Sequence, residues 1–114
     1  MLFRSPVENG AAWVRPLIDA LGRSYEHEPA LFAEDPIMVL KRNIWIHPFH
    51  EEDPRGLIDL VGVDRVVFGS DYPHIEGMSE PLSYVDELEG LSHDDIAKVM
   101  GGNLADVMKM PFAA

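Results

Sequence analysis

Cysteine is absent, which excludes disulfides and thiolate metal sites; any metal held by this chain must use His and carboxylate ligands. Basic residues are scarce, with nine Lys and Arg against twenty Asp and Glu and a formal net charge of -11. Such a balance repels phosphate backbones and anionic bilayers, so neither nucleic acid nor membrane is expected as a partner. Long apolar runs are missing too. No stretch approaches the roughly 20 residues that span a bilayer. The first residues, Met1-Leu2-Phe3-Arg4-Ser5-Pro6, lack the apolar centre of a signal peptide, so a cytoplasmic location is expected. What is present looks like an ordinary globular chain, 46% hydrophobic and 25% charged. Its 114 residues make room for one modest domain, and no linker, repeat or low-complexity tract divides residues 1–114.

Apolar residues Val14, Leu17, Ile18 and Leu21 recur at i, i+3, i+4 and i+7, the pattern of a one-faced helix. Pro16 fits that helix only near its first turn, which places the start close to Ala12 or Trp13. Glu26-His27-Glu28-Pro29 reads as a charged loop. Asp35-Pro36 joins an N-cap to a first-turn proline and opens a short helix through Lys41. Asn43 to His47 is rich in strand formers and is stopped by Pro48. Asp53-Pro54 repeats the cap-and-proline device, with Leu57, Ile58 and Val61 on the helix face and Gly62 at its end. Val66 to Phe68 reads as a second strand. Ser79 is placed to cap a helix carrying Leu82, Val85 and Leu88, closed by Gly90. Ser92 with Asp95 resembles a capping box for a helix that runs to Met100 and stops at Gly101-Gly102. Asn103 would cap the last helix and Pro111 end it.

Strand, helix, strand, helix implies a parallel βαβ crossover followed by further helices, an α/β fold. The carboxyl ends of parallel strands share one rim, where ligands and reacting groups collect. His47 at the end of one strand and Asp71 just past the other are therefore expected on the same edge.

The stretch Phe68-Gly69-Ser70-Asp71-Tyr72-Pro73-His74-Ile75 is the most informative in the chain. It sets an acidic side chain directly after a buried strand and turns immediately at Tyr72-Pro73. From spacing alone Asp71 has two readings of about equal weight. It is a metal ligand, or its carboxylate folds onto nearby backbone as an Asx-turn. His74 is either a rim residue in contact with substrate or a solvated turn imidazole. His47 and His50 stand three apart across Pro48, whereas same-face residues of an extended chain stand two apart, so a metal pair is geometrically poor. His50 then reads as solvated loop and His47 as a pocket candidate. Glu51, Glu52 and Asp53 read as a solvated loop ending in an N-cap. Trp13 and Trp45 read as packing residues that an aromatic-acid pocket could also use. His27 and His93 carry no functional signal.

This stretch also resembles the final-strand motif of the amidohydrolase-related superfamily, metal-dependent hydrolases and decarboxylases on a (β/α)8 barrel. Within it, the resemblance is to the branch of aminocarboxymuconate-semialdehyde decarboxylase and related aromatic acid decarboxylases. Glu8-Asn9-Gly10-Ala11-Ala12-Trp13-Val14 looks like the family's sixth-strand exit, with Glu8 near the site. Arg42 to Phe49 resembles the seventh strand, Val66 to Gly77 the eighth strand and its loop, and Gly101-Gly102-Asn103 the C-terminal end. The resemblance implies metal-dependent hydrolysis or non-oxidative decarboxylation of a small, aromatic or unsaturated carboxylic acid. It implies a divalent metal, zinc before others, with Asp71 as metal ligand and proton acceptor and His74 as a second catalytic residue. A whole barrel takes about 250 residues, and the family's first-strand His-x-His and fifth-strand His have no counterpart here. The expected fold is thus the C-terminal part of a barrel, its last two to three βα units, belonging to a longer enzyme. Missing ligands would come from an N-terminal partner chain or another copy. The rival expectation is an inactive fragment or complementing subunit.

Overall fold

The computed structural model describes residues 9–109. Helix α1, Val14–His27, starts where its proline allows: Pro16 lies in the first turn, where a missing N–H costs nothing. The helix is longer than its sequence pattern suggests. Glu26 and His27 belong to it rather than to a loop, and the break falls at Glu28 (φ -138, ψ 66), the residue that Pro29 forces out of helical conformation. At the other end the Trp13 indole N–H donates to the Gly10 carbonyl at 2.8 Å.

Glu52 corrects the expectation of a solvated acidic loop. Its carboxylate accepts from the Ala11 N–H (2.9 Å to Oε1, 3.1 Å to Oε2) and from the Phe49 N–H (2.7 Å), joining the start of α1 to a segment some forty residues on. Gly10 (φ +62) makes that approach possible: a Cβ there would stand 2.6 Å from Glu52 Oε1 and from the Phe49 ring.

Two further helices are opened by the same device. Asp35 accepts from the Ile37 N–H at 2.9 Å ahead of α2, Pro36–Asn43, and Asp53 accepts from the Arg55 N–H at 3.0 Å ahead of α3, Pro54–Val61. Helix α3 connects two extended segments that meet in a parallel bridge at Ile46 and Val66. The Ile46 N–H donates to Arg65 O at 2.8 Å and the Val67 N–H to Ile46 O at 2.9 Å. The described residues contain such isolated bridges and no longer strand.

After the second segment the chain departs from the expected helices. Residues Pro81–Leu88 form a 3-10 helix, preceded by Glu80 and not capped by Ser79. The tighter winding changes which side chains point inward. Tyr84 and Leu88 are buried, while Leu82 is 81% exposed and Val85 faces outward. Helix α4, His93–Ala97, is capped as expected by Ser92, whose Oγ accepts from the Asp95 N–H at 3.1 Å. A wider π turn, Lys98–Gly102, then kinks at Gly101 and leads into α5, Asn103–Val107.

Asn103 does not cap α5. Its buried side-chain amide donates to the Val63 carbonyl (2.7 Å) and the Val66 carbonyl (2.9 Å), pinning the C-terminal helices to the second extended segment. The Phe68 N–H adds a bond to Val99 O at 3.0 Å. Around these bonds lies one apolar cluster of Val14, Ile46, Leu57, Val61, Val66, Tyr84, Leu88 and Val99. Each such aliphatic side chain contributes about 1.5–3 kcal/mol when fully buried, so this cluster holds the helices on the paired segments. Glu8 and Pro111 lie outside the described residues. Among those residues no helix is long and apolar enough to cross a membrane.

Candidate active site

The paired segments deliver two loops to one edge. Past Ile46 come His47, Phe49, His50 and Glu51; past Phe68 come Gly69, Ser70, Asp71 and Glu76. Together they line a cavity of about 240 Å³. His47 and Asp71 therefore face the same space. A larger hollow of about 620 Å³, lined by Trp45, Arg65, Lys98 and Asp106 among others, is formed from the residues around α4 and α5 and includes neither.

Ser70, not Asp71, makes the turn. Its Oγ accepts from the Tyr72 N–H at 3.2 Å and its carbonyl accepts from the Met78 N–H at 2.8 Å. The Asp71 carboxylate accepts no hydrogen bond from any described residue, so the Asx-turn reading is not realised. The backbone at Asp71 is itself unusual, with φ 57, a left-handed conformation that aspartate tolerates better than most residues. Such conformations in non-glycine residues cluster at functional sites. The Tyr72–Pro73 peptide bond is cis. Gly77 closes the loop from the other side: a Cβ at that position would collide with the Asp71 carbonyl oxygen and stand 2.7 Å from the Ser70 carbonyl oxygen.

The two imidazoles are held by their Nε2 atoms. His47 Nε2 lies 3.0 Å from the Gly69 carbonyl, and His50 Nε2 lies 2.9 Å from the Glu76 carbonyl and 3.1 Å from Glu51 Oε1. Each of these partners can only accept, so Nε2 carries the hydrogen in both rings and Nδ1 is the lone-pair nitrogen when the ring is neutral. Gly69 lets the first contact form, since a Cβ there would sit 2.6 Å from His47 Nε2.

His74 is placed differently. It lies in the exposed turn after Asp71, its N–H donating to Asp71 O at 2.8 Å, and it is not among the residues lining the cavity. His50 is the residue that sequence reasoning passed over. Its separation from His47 argued against a shared metal, yet the loop brings both rings to one cavity. Trp45 packs as expected, buried beneath the Arg65 guanidinium at 4.3 Å. Trp13 is partly buried against the core.

Behind the site, Tyr84 packs on Phe68 with ring centroids 4.9 Å apart. Its hydroxyl is buried with no hydrogen-bond partner among the described residues. Burial, with the nearby charges of Glu87, Glu52 and Asp53 adding to it, pushes the phenol up to about 12.

An O- and N-donor cavity without sulfur suits a divalent cation in the type of its donors. Their number and convergence fall short: among the described residues no three His, Asp or Glu side chains come together closely enough to hold one.

Comparison with known proteins gives this arrangement a context. No curated protein matches the chain. A solved structure, that of an amidohydrolase from Mycobacterium avium subsp. paratuberculosis K-10, superposes with a TM-score of 0.88 at 41% sequence identity. The match covers 94% of this chain and 28% of that one, so the chain spans little more than a quarter of its relative's length. The sequence pattern of the amidohydrolase family matches residues 10–107, which include both loops of the cavity. On that pattern and that identity, the chain belongs to the amidohydrolase family.

Proposed function

We propose that this chain supplies the C-terminal units of a (β/α)8 barrel in a metal-dependent amidohydrolase, with Asp71 as its contribution to the metal centre. The observation that carries the reading is the Asp71 carboxylate itself. It stands at the carboxyl edge of a parallel-bridged segment, without a hydrogen-bond partner among the described residues, on a cavity that two histidines share. A carboxylate left unpaired at that edge is where such folds place ligands.

Asp71 would bind a divalent metal, zinc before others, which when present supplies Lewis acidity. The remaining ligands would come from outside residues 9–109, through an N-terminal partner chain or a second copy. The chain's own groups do the rest of the work. The second carboxylate oxygen of Asp71 can accept a proton from the reacting group. The Nδ1 atoms of His47 and His50, which carry the lone pair, offer further proton-accepting positions. Phe49 gives the cavity an apolar wall. His74 would meet substrate at the rim. This set suits a small carboxylic acid with an aromatic or unsaturated body, acted on by hydrolysis or decarboxylation.

The test is zinc binding by calorimetry on the purified chain. Weak binding that disappears in Asp71→Ala is expected, together with no turnover of aromatic carboxylic acids by the chain alone, because one carboxylate does not hold a catalytic zinc. Zinc affinity indifferent to Asp71→Ala would overturn the assignment.

A further inference from the structure

We infer that His47 and His50 are positioning residues that bracket the Asp71 loop at its two ends, an inference that rests on the reading of Asp71 proposed above. The loop is closed on itself by three short backbone bonds: His74 N–H to Asp71 O (2.8 Å), Gly77 N–H to His74 O (2.9 Å) and Met78 N–H to Ser70 O (2.8 Å). These fix its shape but not its place. Residues 71–76 are all exposed, so almost no apolar burial holds the loop against the fold.

Placement falls to the imidazoles. His47 Nε2 holds the Gly69 carbonyl, two residues before Asp71, and His50 Nε2 holds the Glu76 carbonyl, five residues after it. The three-residue spacing across Pro48 that disfavours a shared metal is what lets the rings reach two separate points on one loop. His47 lies directly against the Gly69 backbone, which only glycine permits at that distance. Glu51 steadies the His50 ring through the same nitrogen at 3.1 Å. In this arrangement Asp71 is held from both sides by side chains that leave its carboxylate untouched.

The test is hydrogen exchange on the purified full chain, read on peptides covering the loop and on a peptide from α1. His50→Ala should speed exchange at the amides of His74, Gly77 and Met78 by up to about tenfold, the population change that losing one hydrogen bond of ordinary net strength permits. His50→Gln should restore the slow rates, because its amide N–H can reach the place of Nε2–H. Exchange in α1 should stay unchanged in both. Loop rates unaltered by His50→Ala, failure of glutamine to rescue them, or equal acceleration in α1 would each overturn the bracket. Asp71→Asn, which removes the charge but keeps a side chain that tolerates the left-handed backbone at that position, should leave these rates alone, so loss of the metal assignment and loss of the bracket are separate results.

Discussion

Val14, Val66, Tyr84 and Leu88 are shut away from water almost entirely, whereas every residue from Asp71 to Glu76 is open to it and Ile75 is 97% exposed. The interior is held by burial and by a few well-aimed polar groups, of which Asn103 is the clearest. The rim has little burial, and two imidazoles and its own backbone bonds keep its shape. Interior polar groups mostly find partners close at hand; at the rim the Asp71 carboxylate has none among the described residues.

That contrast breaks most readily at Asn103. Replacing it with alanine leaves the Val63 and Val66 carbonyls without their amide donor in a buried setting. Unfolding in urea should show a loss of about 2–3 kcal/mol, the cost of stranding buried acceptors. Asp71→Asn, by comparison, should change stability by no more than about 0.5 kcal/mol, because no described residue bonds to the carboxylate. Equal losses in the two variants would mean that the rim carries as much of the fold as the interior does.

A subtler division runs through Tyr84, an interior residue with a polar atom unaccounted for. Its phenol, at about 12, lies above the ordinary tyrosine value of 10.0, so the folded chain keeps a proton that the unfolded chain has released over that interval. Stability should therefore be full below pH 10 and fall as the pH rises from 10 towards 12. Tyr84→Phe removes the group that titrates and the orphaned hydroxyl with it. At neutral pH its stability should lie within about 1 kcal/mol of the parent, and its alkaline decline should be shallower. Identical alkaline profiles, measured by circular dichroism, would exclude Tyr84 as their source.

How far the sequence revealed these regions follows the same line. Capping aspartates and prolines announced α2 and α3 because the signal is local: a side chain bonds to an amide two residues away. The shared edge of His47 and Asp71 followed from the parallel βαβ crossover, whose two strands end on one rim. Asn103 was misassigned because its bonds reach 37 and 40 residues back, and no local pattern marks such a partner. The helix after Ser79 was read at a period of 3.6 and folds nearer to 3.0, so Leu82 and Val85 were named with Leu88 as its buried face, where Tyr84 and Leu88 form it. His50 and Glu52 looked like solvated loop for the same reason. Their partners lie on other segments, except for the Glu51 carboxylate next to His50 and the Phe49 amide, three residues before Glu52, whose spacing could have given that bond away.

The smallest effect on stability is expected at Ile75 and Leu82, and it separates folding from assembly. Both side chains are almost fully exposed, at 97% and 81%, so serine at either position gives up little burial. The thermal midpoint should stay within about 3 °C of the parent, the shift that a typical surface substitution allows. Association is another matter. Exposed apolar groups recur at Leu31, Met38 and Tyr72, and exposed apolar surface favours contact between copies even on a chain of charge -11. The elongated form points the same way: its radius of gyration is 15.3 Å, where a compact domain of this length measures about 13 Å. The parent should therefore self-associate in light scattering and bind a dye for apolar surface at neutral pH, and Ile75→Ser with Leu82→Ser should lessen both. A monodisperse parent with a sharp cooperative melt and no dye binding would show that these side chains face nothing but water, and that the chain folds as a self-sufficient unit.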